Sequence, residues 1–489
     1  MNKPLRRVAI FCGLLVLALL IRDNWLQYVR ADELNAHPRN KRVQIERYAN
    51  ERGNIIVDGK PITGSADSQD PYYKFKRTYT DGPMWAPVTG YASQAYDANQ
   101  IEKIEDGILT GNDDRLFFDR TMSMFTGDKK KGGNVVTTLS GAAQKAAFEG
   151  LGNNTGAVVA IEPKTGKILA LASTPSYDPS SFAGYSAKDE KAWVALEEDK
   201  KNKPKLNRAL REIYPPGSVF KVVTAAAALE NGKVTDIDAP TDTPEPYNLP
   251  TTRVPMKNHA RGCENASLNQ AMKVSCNSVF AKLGDEVGRD KMVEMAEKFG
   301  FNAEQFTPVR SAASVYDKKA DRPGNALSSI GQFNTATSPL QMAMVTAAIA
   351  NDGKLMKPYM IDKLESPNVD VIKQNEPEEM SRPVSAETAQ KLQQMMETVV
   401  SEGTGTKADV KMDGVKVGGK TGTAQHGEKN AKRPYAWFIS YAKTDQGSPV
   451  AVAVIVEDSE GTNREDISGG GLAGPIARDV MKAVLKSRS

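Results

Sequence analysis

Apolar residues are unevenly distributed along this chain, and the first dense run extends from Val8 to Ile21. Arg7 and Arg22 flank the run, and Trp25 follows it. The run is shorter than the about 20 residues of a membrane-spanning helix, but flanking arginine and tryptophan side chains extend the usable span at a membrane interface. No small-residue cleavage site follows closely. The pattern therefore favours an uncleaved transmembrane signal anchor over residues 1–22, with a cleaved signal peptide as the alternative.

Residues 23–150 are polar, punctuated by glycine and broken into short segments. The segment Arg52–Ile62 has apolar residues on both sides of Asp58-Gly59, which predicts a β-hairpin. The segment Tyr72–Tyr79 predicts an amphipathic strand with one solvated side, and Gly127–Gly133 predicts a flexible connection. We therefore expect an extended, mostly β N-terminal pedestal domain over residues 23–150.

From about residue 155 the apolar segments become longer. Thr155–Ser173 predicts a hairpin that turns at Glu162–Gly166. Helices and strands are clustered rather than alternating, so residues 151–489 are predicted to form an α+β domain with a central antiparallel β-sheet flanked by helices. The predicted helices are Ser218–Gly232, Ser338–Gly353 and Ser385–Val400, and the predicted strands are Val415–Gln425, Ala436–Lys443 and Ser448–Asp458, followed by a helix over Gly471–Leu485.

The segment Tyr214–Gly232 combines an apolar helix with a basic residue at its start. Pro215-Pro216-Gly217 forces a tight entry, after which Val, Ala and Leu recur at helical spacing until Asn231-Gly232. Ser218 and Lys221 are three residues apart and therefore lie on one helical face. Burying a lysine on so apolar a helix is costly, which indicates that the amine has a use.

Length and charge narrow the possible function classes. The chain has 489 residues, which is enough for two or three domains, and a net charge of +4. Residues 1–22 carry four basic residues and no acidic residue, and the remaining 60 Lys and Arg balance 60 Asp and Glu. The chain outside the predicted anchor is therefore neutral, which gives no support to a nucleic-acid partner.

Cysteine and histidine are few. Cys12 lies in the predicted anchor, whereas Cys263 and Cys276 lie outside it, where a disulfide is permitted. Because buried free cysteine is common, the sequence favours two unbonded thiols. The three histidines have no ligand-like spacing, so we expect no metal site. They are His37, His259 and His426, and His426 is expected in a charged surface loop.

Three short motifs occur in a fixed order along the chain. Ser-x-x-Lys alone arises by chance in a chain of this composition, but the ordered set is much more specific. The second motif lies between two helical stretches, and the third lies on a predicted strand. The motifs are Ser218-Val219-Phe220-Lys221, Ser275-Cys276-Asn277 and Lys420-Thr421-Gly422-Thr423.

The set resembles the penicillin-binding protein family, which is described by Ser-x-x-Lys, Ser-x-Asn and Lys-Thr-Gly motifs. Arg52–Gly59 resembles the first pedestal motif of the class B, monofunctional members, and the short pedestal is most similar to that of PbpA-type members. The similarity covers nearly the full chain. Further segments similar to class B transpeptidases are Gly156–Ser173, Asn207–Lys221, Ser329–Ala343 and Ala436–Ala442.

The resemblance implies a serine acyltransferase mechanism. Ser218 would be the nucleophile and Lys221 its base, which must be neutral to accept a proton. Burial, the positive end of the helix and the charge of Lys420 would lower the pKa of Lys221. Ser275 would pass a proton to the leaving amine, and Asn277 would bind Lys221 and the substrate amide.

The third motif is implied to bind the substrate. The backbone N–H groups of Ser218 and Thr423 would form the oxyanion hole. Thr421, Gly422 and Thr423 would hold the donor's terminal carboxylate, with Lys420 supplying positive charge. Cys276 is expected to pack away from the cleft.

The family implies a peptidoglycan stem peptide ending in D-Ala-D-Ala as donor and an amine of a neighbouring stem as acceptor. β-Lactams would mimic the donor, and no metal or organic cofactor is implied. The implied location is the cell membrane, single-pass, with the N-terminus cytoplasmic and the catalytic domain outside. Implied partners are a SEDS-type glycosyltransferase and divisome or elongasome proteins, in cell-wall synthesis during growth or division.

Other functions share these motifs. A D,D-carboxypeptidase, in which water replaces the acceptor amine, is barely distinguished by the sequence. A β-lactamase needs an added base for deacylation, which cannot be assigned here. A β-lactam-binding sensor needs a transmission element, but few residues precede the anchor. A bifunctional class A enzyme needs a glycosyltransferase domain, for which residues 23–150 leave no room. The acceptor amine and the choice between septal and lateral growth stay open.

Overall fold

Two five-stranded β-sheets organise the fold, which is given by a computed structural model. The structure describes residues 2–35, 40–117, 121, 130–425, 427, 432–458 and 467–488. The strands are β1 (Ile55–Val57), β2 (Lys60–Pro61), β3 (Thr63–Asp67), β4 (Phe75–Tyr79), β5 (Ala92–Ser93), β6 (Asp97–Ala98), β7 (Asn134–Thr137), β8 (Thr155–Ile161), β9 (Ile168–Thr174), β10 (Tyr247–Asn248), β11 (Pro255–Met256), β12 (Leu355–Met356), β13 (Ile361–Glu365), β14 (Val371–Gln374), β15 (Glu379–Ser381), β16 (Lys416–Ala424), β17 (Tyr435–Thr444) and β18 (Gly447–Asp458).

Helices pack against the larger sheet, and residues 2–47 are also mostly helical. They are α1 (Asn2–Tyr28), α2 (Ala31–Asn35), α3 (Lys41–Arg47), α4 (Gly82–Thr89), α5 (Gln100–Ile104), α6 (Asp106–Thr110), α7 (Gly141–Leu151), α8 (Ala187–Glu198), α9 (Arg208–Arg211), α10 (Lys221–Glu230), α11 (Leu268–Val274), α12 (Asn277–Val287), α13 (Arg289–Lys298), α14 (Arg322–Ser328), α15 (Pro339–Ala350), α16 (Ala386–Glu402) and α17 (Gly474–Arg488).

Helix α1 is long and apolar enough to cross a membrane. It has 27 residues, and its most apolar window has a mean hydropathy of 2.1. The helix continues past Arg22 to Tyr28, and the Arg22 guanidinium lies 4.6 Å from the centre of the Trp25 ring. Residues 2–22 of the predicted anchor thus lie within one continuous helix that is longer than the apolar run alone.

The smaller sheet has the strand order β14-β13-β7-β1-β2. The predicted hairpin is confirmed as β1 and β2, with Asp58 and Gly59 both at positive φ in the turn. Two-residue hairpin turns of this kind favour Asp-Gly. Strand β7 pairs parallel to β1 and antiparallel to β13. Residues far apart in sequence, 55–61 and 361–374, therefore complete one sheet across the predicted boundary at residue 150.

A buried ion cluster stabilises this part of the molecule. Strand β4 is confirmed, and Arg77 lies on its buried side, with 1% of the residue exposed. Its Nε donates to Oε1 of Glu102 at 2.6 Å, and Nε of Arg52 donates to Oε2 of the same carboxylate at 2.6 Å. Burial opposes ionisation of Glu102, but the two guanidinium groups outweigh it and hold its pKa below the usual value.

The larger sheet has the order β16-β17-β18-β8-β9, and all neighbouring strands are antiparallel. Alternate residues of β8 face opposite sides: Val159 packs into the core that contains α15, whereas Val158 packs with α7 and α17. The predicted α+β domain with an antiparallel sheet between helices is therefore confirmed. Strand β16, which carries the third motif, lies at the edge of the sheet.

Helix starts at α15 and α16 follow the predicted capping serines. Oγ of Ser338 accepts a hydrogen bond from the N–H of Gln341, and Oγ of Ser385 accepts one from the N–H of Thr388. Each side chain satisfies a donor that the first helical turn leaves unpaired. Every residue of α15 is buried, so this helix forms the centre of the core on one face of the sheet.

Candidate active site

Ser218 lies in a tight turn before helix α10. The helix predicted to start at Ser218 begins instead at Lys221, and Gly217–Phe220 forms a 3₁₀ turn. Gly217 has φ of +54°, and its N–H donates to the carbonyl of Gly331 at 2.9 Å. A positive φ after two prolines requires glycine, and short 3₁₀ turns commonly precede α-helices. The half-buried Ser218 is thus presented ahead of the helix rather than in its first turn.

The edge strand β16 packs directly against this turn. A Cβ on Gly422 would lie 3.1 Å from the carbonyl oxygen of Pro216 and 3.1 Å from Val219, so a larger residue would fit only if the strand or the turn shifted slightly. The outer side of an edge strand carries backbone N–H and C=O groups that its sheet does not use. The first and third motifs therefore lie side by side.

The second motif reaches Lys221 of the first motif through an uncommon backbone conformation. Ser275 lies between α11 and α12 with φ of 66° and ψ of 47°, the left-handed region. This conformation costs a non-glycine residue about 1 kcal/mol. It turns both polar groups of Ser275 toward Lys221, whose Nζ lies 2.8 Å from the carbonyl oxygen and 3.1 Å from Oγ. Backbone strain of this kind is concentrated at functional sites.

Asn277 provides a third oxygen ligand to the Lys221 amine. Its Oδ1 accepts a hydrogen bond from Nζ of Lys221 at 2.8 Å. Its Nδ2 donates to the carbonyl oxygen of Lys257 at 2.8 Å, which fixes the orientation of the amide. Lys221 is fully buried, and its amine lies 5.6 Å from the centre of the Phe280 ring.

Lys420 approaches Ser275 from strand β16. Its Nζ donates to Oγ of Ser275 at 3.0 Å and to the carbonyl oxygen of Thr421 at 3.1 Å. The Ser275 hydroxyl therefore lies between two lysine amines, both 0% exposed. The structure thus brings the lysines of the first and third motifs to the serine of the second.

The electrostatic environment favours a neutral Lys221. Burial, and then the charge of Lys420, lower the pKa of Lys221 well below its ordinary value. Burial also lowers the pKa of Lys420, to about 7. Within the described residues no carboxylate contributes to either shift. The pair therefore lacks the counter-charge that usually keeps a buried lysine protonated.

This arrangement can move a proton. When protonated, Lys420 can only donate to the Ser275 hydroxyl, which leaves the hydroxyl hydrogen available to Lys221. A neutral Lys221 amine donates two hydrogens, to the Ser275 carbonyl and to Asn277, and accepts one through its lone pair. The lone pair can receive a proton from a hydroxyl and return it through Ser275.

The predicted carboxylate-binding residues occupy different environments. Thr421 is buried, and its Oγ1 donates to Oγ1 of Thr404 at 2.7 Å. Thr423, two residues further along β16, is exposed. The sequence did not single out Thr404, although its position between Gly403 and Gly405 is a signal of close packing.

One expectation about cysteine is wrong. Cys263 and Cys276 form a disulfide, with their Cα atoms 5.6 Å apart. Spacing in the sequence could not distinguish this bond from two buried thiols, because it depends on how the loop before α11 returns to the start of α12. Cys276 is fully buried, as expected for a side chain that packs away from the cleft.

Two further expectations concern metal sites and the loop after the third motif. Among the described residues, no group of three or more His, Cys, Asp or Glu side chains could hold a metal ion. His426, predicted in a surface loop, lies outside the described residues, as does part of Gly127–Gly133.

Comparison with family models matches two segments of the chain. Residues 156–482 match the penicillin binding protein transpeptidase domain, and residues 52–135 match the penicillin binding protein A dimerisation domain. The first match spans more than half of the chain and includes all three motifs.

Individual relatives match along their full length. The chain is 40% identical to the peptidoglycan D,D-transpeptidase PbpA of Mycolicibacterium smegmatis, with 100% of each chain covered. It is 38% identical to the protein of the same name in Mycobacterium tuberculosis, with 99% of each covered.

Solved structures show the same fold. A ceftriaxone acyl-enzyme complex of M. tuberculosis penicillin-binding protein A is similar with a TM-score of 0.83 at 37% identity, covering 90% of this chain and 100% of that one. Its penicillin G acyl-enzyme complex has a TM-score of 0.82 at 38% identity, covering 89% and 100%.

Proposed function

The chain belongs to the class B penicillin-binding protein transpeptidases, and from this premise we propose that it cross-links peptidoglycan stem peptides as a D,D-transpeptidase with Ser218 as nucleophile. The family resemblance predicted from the motifs is confirmed. One observation carries the proposal most directly. Lys221 follows Ser218 by one turn, and its buried amine contacts Ser275 and Asn277. Among the described residues, no carboxylate contributes to the pKa of this amine.

Acylation begins with proton removal from Ser218. The neutral Lys221 amine accepts the hydroxyl proton while Oγ attacks the carbonyl carbon of the penultimate D-Ala of the donor. The negative charge on the carbonyl oxygen is stabilised by the backbone N–H groups of Ser218 and Thr423. We assign Thr421, Gly422 and Thr423 to the donor's terminal carboxylate, with Lys420 supplying positive charge.

Collapse of the tetrahedral intermediate breaks the donor's C–N bond. The proton held by Lys221 reaches the departing nitrogen through the Ser275 hydroxyl, so D-Ala leaves as a neutral amine and a Ser218 ester remains. An amine of a neighbouring stem then attacks the ester, forms the cross-link and returns a proton to Ser218. Asn277 orients both the Lys221 amine and the donor amide.

Covalent labelling tests the nucleophile. The full-length protein in detergent is incubated with a fluorescent penicillin, and we expect stable stoichiometric label that is lost in Ser218→Ala. The control Ser401→Ala removes an exposed hydroxyl at the end of α16 and should keep the label. Label that survives Ser218→Ala would defeat the assignment, and rapid turnover of the label would favour a β-lactamase.

Partition between amine and water separates transpeptidase from carboxypeptidase. A stem peptide ending in D-Ala-D-Ala is supplied with and without a second stem peptide carrying a free side-chain amine. We expect a cross-linked product that increases with amine concentration. Release of D-Ala with only the hydrolysed donor at every amine concentration would favour a D,D-carboxypeptidase.

We also propose a membrane-anchored arrangement with the N-terminus cytoplasmic and the catalytic domain extracytoplasmic. Helix α1 supports anchoring, and the Cys263–Cys276 disulfide supports an oxidising compartment. The proposed domains are residues 1–22 as anchor, 23–150 as pedestal and 151–489 as transpeptidase. Protease added outside intact cells should digest the catalytic domain, and full protection would contradict this orientation.

The proposed partners are a SEDS-type glycosyltransferase and other divisome or elongasome proteins. A transpeptidase needs newly polymerised glycan beside it, which a membrane polymerase would supply. Crosslinking in native membranes followed by affinity purification should recover such a polymerase. Recovery of the protein alone would count against a stable complex.

A further inference from the structure

Helix α12, which begins with Asn277, has no capping side chain of its own. The N-cap position is occupied by Cys276, whose side chain makes no capping hydrogen bond and is held in the disulfide. The first turn of a helix leaves backbone N–H groups unpaired, and an uncapped start tends to shift or fray. Asn277 depends on this turn because it is the first residue of α12.

Asn258 supplies the missing cap from another part of the chain. Its Oδ1 accepts hydrogen bonds from the N–H of Asn277 at 2.7 Å and from the N–H of Ser278 at 3.0 Å. Its Nδ2 donates to Oγ of Ser278 at 2.9 Å and to Glu245 at 3.1 Å. All four contacts agree with one orientation of the amide, so Asn258 is itself held in place.

Residues next to Asn258 also fix the side chain of Asn277. The carbonyl of Lys257 accepts from Nδ2 of Asn277 at 2.8 Å, which directs Oδ1 of Asn277 to the amine of Lys221. The disulfide from Cys263 fixes the residue just before Asn277. The segment 257–263 therefore holds the second motif at the backbone N–H of Asn277, at the side chain of Asn277 and at Cys276.

We propose that Asn258 is a positioning residue for acylation, which acts by holding Asn277 against Lys221. Asn258 need not touch the substrate, because its side chain is engaged by the start of α12. The proposal rests on the proposed function, in which Lys221 is the base and Asn277 orients it. A displacement of about 1 Å in such a group can lower a rate by about 100-fold.

A double-mutant cycle tests this role in the full-length protein. The second-order rate constant for acylation by a fluorescent penicillin is measured for Asn258→Ala in the native background and in an Asn277→Ala background. We expect Asn258→Ala to lower the rate by about 10- to 100-fold in the native background. In the Asn277→Ala background it should change the rate by no more than about twofold, because the group it positions is gone.

Rescue and control variants separate positioning from loss of structure. Asn258→Asp keeps an oxygen for both backbone N–H groups, and combined with Glu245→Gln, which removes the carboxylate that it would otherwise face, it should restore most of the rate. Ser186→Ala removes the N-cap of the peripheral helix α8 and should lower the melting temperature without changing the rate. If Asn258→Ala does not fold, Asn258→Gln keeps the amide but displaces its oxygen by one methylene, and it should show the same loss and the same dependence on Asn277.

The outcomes separate this inference from the proposed function. An equal loss in both backgrounds, or no loss in the native background, would overturn the positioning role while stable label at Ser218 would leave the proposed function intact. Label that persists in Ser218→Ala would overturn the proposed function itself, whatever the result at Asn258.

Discussion

Two buried groups of charged side chains lie in different parts of this molecule, and they differ in one respect. The pedestal ion cluster consists of Arg52, Glu102 and Arg77, in which one carboxylate lies between two guanidinium groups. The cleft lysine pair consists of Lys221 and Lys420, which share the Ser275 hydroxyl. The first group contains acidic and basic side chains, whereas the second contains only basic side chains.

The comparison shows how burial can serve either structure or chemistry. In the pedestal ion cluster, opposite charge compensates the loss of hydration, so the groups stay ionised and hold β4, α5 and the chain before β1 together. In the cleft lysine pair, burial has no such compensation within the described residues, and the pKa of each amine is lowered. A neutral amine is a base, whereas a paired guanidinium is not.

The largest expected effect comes from removing the base. Lys221→Met keeps an unbranched side chain of similar size but has no basic nitrogen, so acylation by a fluorescent penicillin should be about 1000-fold slower. The melting temperature should change little, because the loss of the amine's hydrogen bonds to Ser275 and Asn277 is offset by removal of a buried amine that lacks a carboxylate partner among the described residues. Lys282→Met on α12 is the matched control and should retain the acylation rate. An unchanged rate in Lys221→Met would contradict its role as base.

Removing the carboxylate from the pedestal ion cluster should lower stability and leave the acylation rate unchanged. Glu102→Gln leaves Arg52 and Arg77 buried without their shared counter-charge, which should lower the free energy of unfolding by about 3 kcal/mol. Acylation by the folded protein should be unchanged. Urea denaturation and labelling measure the two quantities. The control Glu294→Gln removes an exposed ion-paired carboxylate and should have little effect; equal losses in both variants would contradict the comparison.

Removing the second lysine should move the pH dependence of acylation. Lys221 acts when neutral, so the rate falls as pH decreases through its pKa. The charge of Lys420 lowers that pKa, and Lys420→Met should therefore raise it and move the acid limb to higher pH. Rates measured from pH 5 to pH 9 give the midpoint. Lys416 is exposed on the same strand, so Lys416→Met is the control and should not change the midpoint. An unchanged midpoint in Lys420→Met would count against electrostatic coupling of the two amines.

The smallest effect concerns stability and pH. The pKa of Lys420 is about 7 in the folded protein, below the ordinary 10.5, so unfolding binds a proton between these values. The cost of keeping Lys420 charged in the core is full below pH 7 and is absent above pH 10.5. Lys420→Met should therefore raise the melting temperature most at pH 6–7 and least near pH 10. A constant difference across this range would show that the pKa is not lowered.

Prediction from sequence was most successful where neighbours along the chain set the structure. Asp58-Gly59, Ser338 and Ser385 each act on residues within one turn, and the elements they predict are confirmed. The helix at Ser218 was displaced by one short turn, because a positive φ at Gly217 and its bond to Gly331 are not visible in local periodicity. The disulfide was missed for the same reason.

The sequence by itself determined the chemical groups and their order: a serine and lysine one turn apart, a serine and asparagine between helices, and a lysine on an edge strand. These follow from local spacing, which sets the face of a helix and the ends of an element. Only the tertiary structure decided that Lys420 contacts Ser275, which lies 145 residues earlier in the chain. It also decided that the amines of Lys221 and Lys420 are buried, with no carboxylate among the described residues contributing to their pKa values. The cap that Asn258 provides to the helix of Asn277 is likewise a tertiary contact. Burial and distant contacts depend on how the elements pack, and pKa values follow from burial and from nearby charge.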